Sequence, residues 1–331
     1  MSMDKLILQP SKIGDIIGVI PIAYAAHLRG ERYGIMACSE FASVLDGISY
    51  ADKIVFEGKP WQLKEAYEQA KKLCDNVVDT AVNGPIDVIQ KYSYEPAGQQ
   101  GAVTDSFCRE SFKLAGCLKD WGKVPLIFDQ RNPEREKAIM PKGWFGPGKK
   151  KQIILVSAGS ASSHFPYRNL LFKLLRLNYP KFNIIDLAEI KSERIYDLLG
   201  LFEAAHCLVT VDTAHLHLAA AVPTLPVMAL IQDKPLYWHG SAWRPQHHFY
   251  CRYRDFPWRC LEMFDAIDEV GKDTIKTNLL VYHGSLRKEN NGMTPFVIQP
   301  GSCQRDAVNV LNDKEHFPML PDVIRMVMKI A

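Results

Sequence analysis

Two histidines two residues apart follow an Asp-Thr pair in the segment VTVDTAHLHLAAA, residues 209–221. Such residues suit metal binding, acid-base catalysis or the binding of an anion at the start of a helix. Helical geometry argues against a shared metal ion, because side chains two positions apart project about 200° from each other. We therefore expect one histidine to face a ligand, the other to face the protein, and no metal site.

The same segment carries the signals of a helix start. An apolar run ends before Asp212 and Thr213, and either is a typical N-cap residue. The backbone N–H groups of residues 213–215 would then point outward, where they and the helix dipole attract negative charge. The pattern predicts an anion site at this helix start, with one of the two histidines facing the ligand.

A second turn between a strand and a helix is SAGSASS, residues 157–163. Its small residues, among them Ser157, Gly159 and Ser160, would let backbone N–H groups approach a phosphate. It has neither the Walker pattern nor the Gly-x-Gly-x-x-Gly dinucleotide pattern. A phosphate-side loop and a plain tight turn both fit it.

A third such turn is SKIGD, residues 11–15, in which Asp15 follows Gly14. One interpretation makes Asp15 an N-cap residue. The other makes it a carboxylate held at a helix start, ready to accept a proton as a general base. Lys12 is close enough in sequence to bring a positive charge to the same place.

The elements that must position these turns alternate along the chain. Apolar runs predict strands over 5–9, 32–38, 53–56, 76–82, 124–128, 152–160, 182–187, 207–211 and 225–231. Helical spacing predicts helices ending near His27 and over 61–74, 168–179, 194–205, 214–222 and 321–330. The charged run 129–151, rich in proline and glycine, has the composition of a linker.

This alternation predicts an α/β fold with two doubly wound, Rossmann-like domains facing a central cleft. We expect a first domain over 1–140, a second domain over 150–265 and an extension over 266–331. Ligands of such sheets bind outside the carboxyl ends of the strands, where the three turns lie.

Composition narrows the classes of function. The chain has 331 residues, 47% of them hydrophobic and 23% charged, which is typical of a globular protein. A net charge of +3 suits anionic ligands but is weak for a nucleic-acid-binding protein. None of the eight cysteines forms a Cys-x-x-Cys pair, which disfavours zinc. Without a transmembrane stretch or a signal peptide, we expect a cytoplasmic protein.

A segment rich in aromatic residues and arginine, YWHGSAWRPQHHFYCRYRDFPWRC, spans 237–260. Interleaved aromatic rings and guanidinium groups suit stacking on bases or sugars and binding of phosphates. The candidate contacts to an acceptor or to nucleic acid are Trp243, Arg244, Arg252 and Arg254. A loop packed over the second domain is the alternative.

Taken together, the turns resemble those of glycosyltransferase family 9, the ADP-heptose:lipopolysaccharide heptosyltransferases, which have the GT-B fold. The resemblance rests on KIGDIIGVIP at 12–21 and on DTAHLHLAAA at 212–221, followed by the LPVMALI strand. It covers most of residues 5–30 and 150–232. It implies the GT-B arrangement, with an acceptor-side domain over 1–140, a donor domain over 150–265 and the final helix of the extension 266–331 packing back on the first domain.

The resemblance also implies roles for single residues. Asp15 takes the place of the catalytic base. Thr213, Ala214 and His215 form the helix start that receives the donor diphosphate, with alanine where the family has glycine. His217 matches the histidine of the family motif.

On the other phosphate-side loop, Ser157, Gly159 and Ser160 belong to the turn that resembles the family's. The family lysine that precedes a Trp-Pro pair has no counterpart, and Ser163 and His164 stand there instead.

The implied function is inverting transfer of a sugar from a nucleotide-diphosphate sugar to an acceptor hydroxyl, that of a saccharide. The nucleotide-sugar is then a substrate, and no cofactor or metal is expected. Two alternatives stay open: transfer to modified bases of DNA, as in some bacteriophages, and a nucleotide-binding module without catalysis. The sequence sets neither the donor nor the oligomeric state.

Overall fold

The computed structural model describes residues 3–81, 107–141, 153–159, 168–231, 248–252, 296–298 and 308–309. These residues form an α/β structure around two sheets, which confirms the predicted α/β character. Among them, no helix is long and apolar enough to cross a membrane.

The first sheet has four parallel strands in the order β3-β2-β1-β4. They are β1 (Lys5–Leu8), β2 (Tyr33–Cys38), β3 (Asp52–Phe56) and β4 (Val77–Asp79). The helices of this half are α1 (Ile13–Leu28), α2 (Leu63–Leu73) and α3 (Phe107–Leu114). Strand β2 is buried along its whole length, as expected for a central strand of a parallel sheet.

Helix α1 connects β1 to β2 and is buried from Ile16 to Ala26 except at Tyr24. Its sequence is apolar on nearly every side, which is typical of a helix enclosed by protein. The helix passes through Pro21 without ending. The predicted helix up to His27 is confirmed.

The second sheet has seven strands in the order β11-β10-β9-β8-β7-β5-β6. They are β5 (Ile153–Ser157), β6 (Asn183–Asp186), β7 (Cys207–Val211), β8 (Val227–Ile231), β9 (His248–Arg252), β10 (Phe296–Ile298) and β11 (Val308–Asn309). Strands β5 to β9 are parallel, whereas β10 is antiparallel to both of its neighbours.

Four helices accompany this half: α4 (Pro133–Ile139), α5 (Arg168–Asn178), α6 (Leu199–Ala204) and α7 (Ala214–Leu218). Strands β10 and β11 lie in the predicted extension 266–331 and join the second sheet. The predicted final helix over 321–330 lies outside the described residues.

Each sheet has a point where the strand order reverses. Strand β1 lies between β2 and β4, and β5 lies between β6 and β7. Ligands of doubly wound sheets bind at such reversals, beyond the carboxyl ends of the strands. The SKIGD turn follows β1, the SAGSASS turn follows β5 and the Asp-Thr motif follows β7.

One predicted strand is wrong. Residues 124–128 pair with no strand among the described residues; Leu126 and Phe128 are buried there, so their apolar character reflects packing. The helix predicted over 194–205 is confirmed, with a first turn, Ile195–Leu198, that is 3-10 and runs directly into helix α6.

The predicted linker 129–151 contains helix α4, which its charged composition concealed. The Asn132 side chain caps α4 by accepting hydrogen bonds from the N–H groups of Glu134 and Arg135, and Pro133 occupies the first helical position. Arg131, just before it, pairs with Glu136 at 2.6 Å.

Ion pairs and hydrogen bonds join the region of helix α4 to the second half of the chain. Arg131 also pairs with Glu203 of α6 at 2.5 Å. Asp197 is fully buried; it accepts a hydrogen bond from Nε of Arg135 at 3.0 Å and another from the N–H group of Arg194 at 2.9 Å. A buried carboxylate is stable only when it is bonded in this way.

The same region contacts the first half. The rings of Phe128 and Tyr196 stack with centroids 5.4 Å apart. They lie against Gly47, where a Cβ would come within 2.5 Å of Phe128 Cδ1. Nε of Arg194 pairs with Asp46 at 3.2 Å. Side chains from both halves therefore pack together here.

We expect Asp197→Ala to lower the thermal unfolding midpoint by about 4 °C or more, because it removes a buried carboxylate that joins α4 to the Ile195–Leu198 turn. Differential scanning calorimetry measures the midpoint. Glu193→Ala is the matched control, since that carboxylate is exposed and lies 3.7 Å from Arg135. Equal midpoints for the two variants would contradict the role of Asp197.

Candidate functional site

The turn before α1 has an unusual backbone. Lys12 is the N-cap residue, with φ 53° and ψ 126°, and no other non-glycine residue among those described has a positive φ. A residue with a Cβ in such a conformation costs about 1–3 kcal/mol, and strain of this kind clusters at functional sites. Asp15 lies in the first turn of α1, so the N-cap interpretation of Asp15 is wrong.

Bonds to strand β2 and within the turn hold its backbone. Gln9 donates its N–H to Met36, and Pro10 accepts a hydrogen bond from the N–H of Cys38. Ser11 Oγ donates to Oε1 of the fully buried Gln9 at 3.3 Å. Within the part of the chain that the structure describes, Nε2 of Gln9 has no hydrogen-bond partner. Sequence analysis missed Gln9, because nothing local marks it as buried.

The start of α1 touches helix α7, about 200 residues later in the chain. A Cβ added to Gly14 would lie 2.8 Å from Cδ2 and 3.3 Å from Nε2 of His217, and 3.7 Å from the Cα of Ala214. Only glycine permits so close an approach. The turn carrying Asp15 and the Asp-Thr motif therefore meet in space.

Thr213 rather than Asp212 is the N-cap residue of α7. Its Oγ1 accepts a hydrogen bond from the N–H of His215 at 3.2 Å and lies 3.3 Å from Oγ1 of Thr210. Ala214 has no positive φ, so alanine fits here. A 3-10 turn, Ala219–Ala221, continues the helical segment.

The two histidines face different surroundings, as helical geometry predicts. Nδ1 of His215 lies 2.9 Å from Oγ of Ser157, so this contact joins the carboxyl ends of β5 and β7 at the reversal of strand order. Nε2 of His217 lies 3.8 Å from Oδ1 of Asp212, which is too long for a hydrogen bond, and the same ring lies against Gly14 of α1. His217 is therefore the histidine turned toward α1.

Burial lowers the pKa of His215 to about 4, because a protein environment disfavours the imidazolium form. His215 is thus neutral at physiological pH and acts as a hydrogen-bonding group toward Ser157. It supplies no positive charge to an anion.

The other candidates are placed as follows. Ser157 is buried, Lys12 is exposed, and Gly159 has open space where a Cβ would be. Arg252 ends strand β9, so this part of the aromatic and arginine-rich segment is a strand and not a loop. Ser160, Ser163, His164, Trp243, Arg244 and Arg254 lie outside the described residues.

No group of three or more His, Cys, Asp or Glu side chains within the described ranges is placed to hold a metal ion.

We expect Gly14→Ala to destabilise the protein, because the new methyl group overlaps the ring of His217 and must push α1 away from α7. The double variant Gly14→Ala/His217→Ala should recover much of the loss. Urea unfolding of the four proteins gives the coupling free energy. Gly159→Ala is the control, since nothing lies within 4 Å of its added Cβ. If the losses of unfolding free energy in the two single variants simply add in the double variant, the two residues do not touch.

His215 should make stability depend on pH. Its pKa is lower in the folded protein than its ordinary value of 6.5, so the unfolded chain binds the proton more tightly. Stability contributed by neutral His215 is complete above pH 6.5 and is lost as the pH falls toward 4.

The wild type should therefore lose more unfolding free energy between pH 7 and pH 4.5 than His215→Asn, whose amide keeps a bond to Ser157 without titrating. Urea titrations at both pH values measure this difference. Parallel losses in the two proteins would refute it.

Comparisons with known proteins give structural likeness alone. No protein-family profile matches the chain, and no curated protein matches it. A glycosyl transferase family 9 structure from Veillonella parvula is 10% identical, with 88% of this chain and 99% of that chain covered and a TM-score of 0.49.

Two structures from E. coli are similar at the same level. The heptosyltransferase WaaC with ADP is 13% identical, with 78% of this chain and 94% of that chain covered and a TM-score of 0.47. ADP-heptose lps heptosyltransferase II is 14% identical, with 87% and 100% covered and a TM-score of 0.49. Family 9 glycosyltransferases and heptosyltransferases are thus among the solved structures that this chain resembles.

Proposed function

We propose that the chain is an inverting glycosyltransferase of the GT-B type, which moves a sugar from a nucleotide-diphosphate sugar to an acceptor hydroxyl. The observation that carries the proposal is the contact between Gly14 and His217. It brings the turn that carries the Asp15 carboxylate, after β1 of the first sheet, to the helix start suited to an anion after β7 of the second sheet. Neither turn has both functions alone.

The donor diphosphate binds beyond the carboxyl ends of β5 and β7. Thr213 shapes the backbone at the start of α7, whose N–H groups suit an anionic oxygen. The partly buried ring of His217 adds a hydrogen-bond donor at the same place, 3.8 Å from Oδ1 of Asp212. The bond between Ser157 and His215 fixes the two strand ends relative to each other.

The acceptor binds on the side of α1, where Asp15 is the general base. The acceptor hydroxyl gives its proton to the Asp15 carboxylate while its oxygen forms a bond to the anomeric carbon. The bond from that carbon to the diphosphate oxygen breaks on the opposite face, so the configuration inverts. A carboxylate is a much weaker base than an alkoxide, so proton transfer runs late, as the new bond forms.

The leaving diphosphate takes the electron pair of the broken bond. Hydrogen-bond donors aimed at this developing charge stabilise the transition state, each by about 2.7–4 kcal/mol if they act as oxyanion-hole donors do. The start of α7 and His217 are the donors that the described residues offer for this role.

Asp15→Asn should lower the transfer rate by about 10²-fold or more while donor binding is kept, because the amide has nearly the same shape but accepts no proton. ADP-, UDP- and GDP-sugars are first screened for thermal stabilisation of both proteins. Released nucleoside diphosphate then gives the rate, and NMR gives the anomeric configuration of the product.

The matched control is Asp75→Asn. Asp75 is exposed and precedes β4, so it lies at the amino-terminal ends of the strands, away from Asp15. Near-normal turnover of Asp15→Asn would refute the base. A wild type that is stabilised by nucleotide-sugars but releases no product would instead favour a nucleotide-binding module without catalysis.

A further inference from the structure

The turn between β3 and α2 displays an exposed tryptophan. Trp61 has 76% of its surface accessible, more than any other large hydrophobic residue in the described ranges. An indole ring has a large apolar face, and leaving it in water forgoes the stabilisation that burial would give. Singly exposed apolar residues are ordinary, but an indole ring also offers a flat face on which another ring can stack.

Hydrogen bonds and close packing order the backbone of the turn that carries Trp61. Gln62 Oε1 accepts a hydrogen bond from the N–H of Lys59 at 2.7 Å, and the N–H of Gln62 donates to the carbonyl of Lys59 at 2.9 Å. Gly58 packs so closely on the ring of Phe56 that a Cβ there would overlap it. A platform ordered in advance loses little conformational entropy when a ligand binds.

Trp61 and Asp15 both lie beyond the carboxyl ends of the strands of the first sheet. The N–H of Cys38 donates to the carbonyl of Pro10 at 3.1 Å, and the N–H of Ser39 donates to the carbonyl of Phe56 at 2.9 Å. These bonds align the carboxyl ends of β1, β2 and β3. Neighbouring strands are about 4.8 Å apart, so β3 lies about 10 Å from β1.

Exposed residues line the carboxyl ends of these strands, from the turn before α1 to the turn before α2. They are Lys12, Ser39, Glu40, Glu57, Lys59 and Trp61. The carboxyl ends of the strands therefore offer an accessible surface that begins near Asp15, the proposed base, and ends at the indole ring of Trp61.

The charged residues around Trp61 indicate whether a sugar or a nucleic acid fits this surface better. The flat face of an indole stacks on the C–H face of a sugar ring or on a nucleobase. A nucleic acid also needs cations for its phosphates. The exposed charges beside Trp61 are balanced, two carboxylates at Glu57 and Glu65 against two ammonium groups at Lys59 and Lys64. A sugar ring, whose hydroxyls bond to carboxylates and ammonium groups alike, fits this surface better.

We propose that Trp61 is a stacking platform for a saccharide acceptor, which it binds at a sugar unit distant from the reacting hydroxyl. This rests on the proposed function, because it assigns the acceptor of the same site. Trp61 sets the affinity and choice of acceptor and takes no part in bond making.

The test compares Trp61→Ala and Trp61→Phe with the wild type. The acceptor probes are malto-, chito- and lipopolysaccharide-core oligosaccharides, with a 20-nucleotide single strand and duplex of DNA beside them. Leu177→Ala is the control, since Leu177 is 73% exposed on α5, beside the second sheet. Readouts are quenching of tryptophan fluorescence by each probe and the KM and kcat of transfer.

At least one oligosaccharide should quench wild-type fluorescence, and the quenching should be lost in Trp61→Phe. Trp61→Ala should raise the dissociation constant and acceptor KM at least about fivefold, with kcat and nucleotide-sugar binding unchanged. Trp61→Phe, which keeps an aromatic face, should give a smaller rise in acceptor KM.

The outcomes separate the two proposals. Normal acceptor KM in Trp61→Ala, with an active wild type, overturns the platform and leaves the transferase intact. Quenching by an oligosaccharide in a wild type without turnover supports the platform and overturns the transferase. No quenching by any oligosaccharide, or quenching by DNA alone, overturns the platform. So does a smaller mass of Trp61→Ala in light scattering at unchanged acceptor affinity, since Trp61 would then contact another copy of the chain.

Discussion

The approach of α1 to α7 at Gly14 is the constraint on which the proposed site depends. Each of the two sheets places a turn at the reversal of its strand order, and the proposed ligand site needs both turns. The missing side chain at Gly14 lets the ring of His217 lie against the backbone that carries Asp15. A single methyl group at this position would separate the two turns.

Much of the fold follows from the sequence, because local and tertiary preferences agree there. The apolar strands β1 and β2, helix α1 and the Thr213 cap were all predictable from local signals. The predictions fail where packing overrides composition. Residues 124–128 look like a strand because they are buried, and α4 is hidden in a charged run because its stability comes from Asn132 and from ion pairs with distant residues.

Some features of the candidate site also follow from local sequence, whereas others depend on tertiary contacts. Helical geometry alone separates the two histidines, and the Gly-Asp turn marks Asp15. The reason that position 14 is glycine, the bond between Ser157 and His215, and the exposure of Trp61 all depend on residues that are far apart in sequence. No spacing rule reports such contacts. The neutral state of His215 likewise follows from its surroundings.

The path of the chain at residues 129–131 has a consequence for how the site tolerates change. Asp129 accepts a hydrogen bond from the N–H of Ser49, and the N–H of Gln130 donates to Gly47, whereas Arg131 pairs with Glu203 of α6. Over residues 128–131 the chain thus passes from contacts with the first half to contacts with the second half. We expect an inserted residue at this crossing to shift one turn relative to the other. Residues 130 and 131 therefore help to set the geometry of the proposed site, although they supply none of its proposed chemistry.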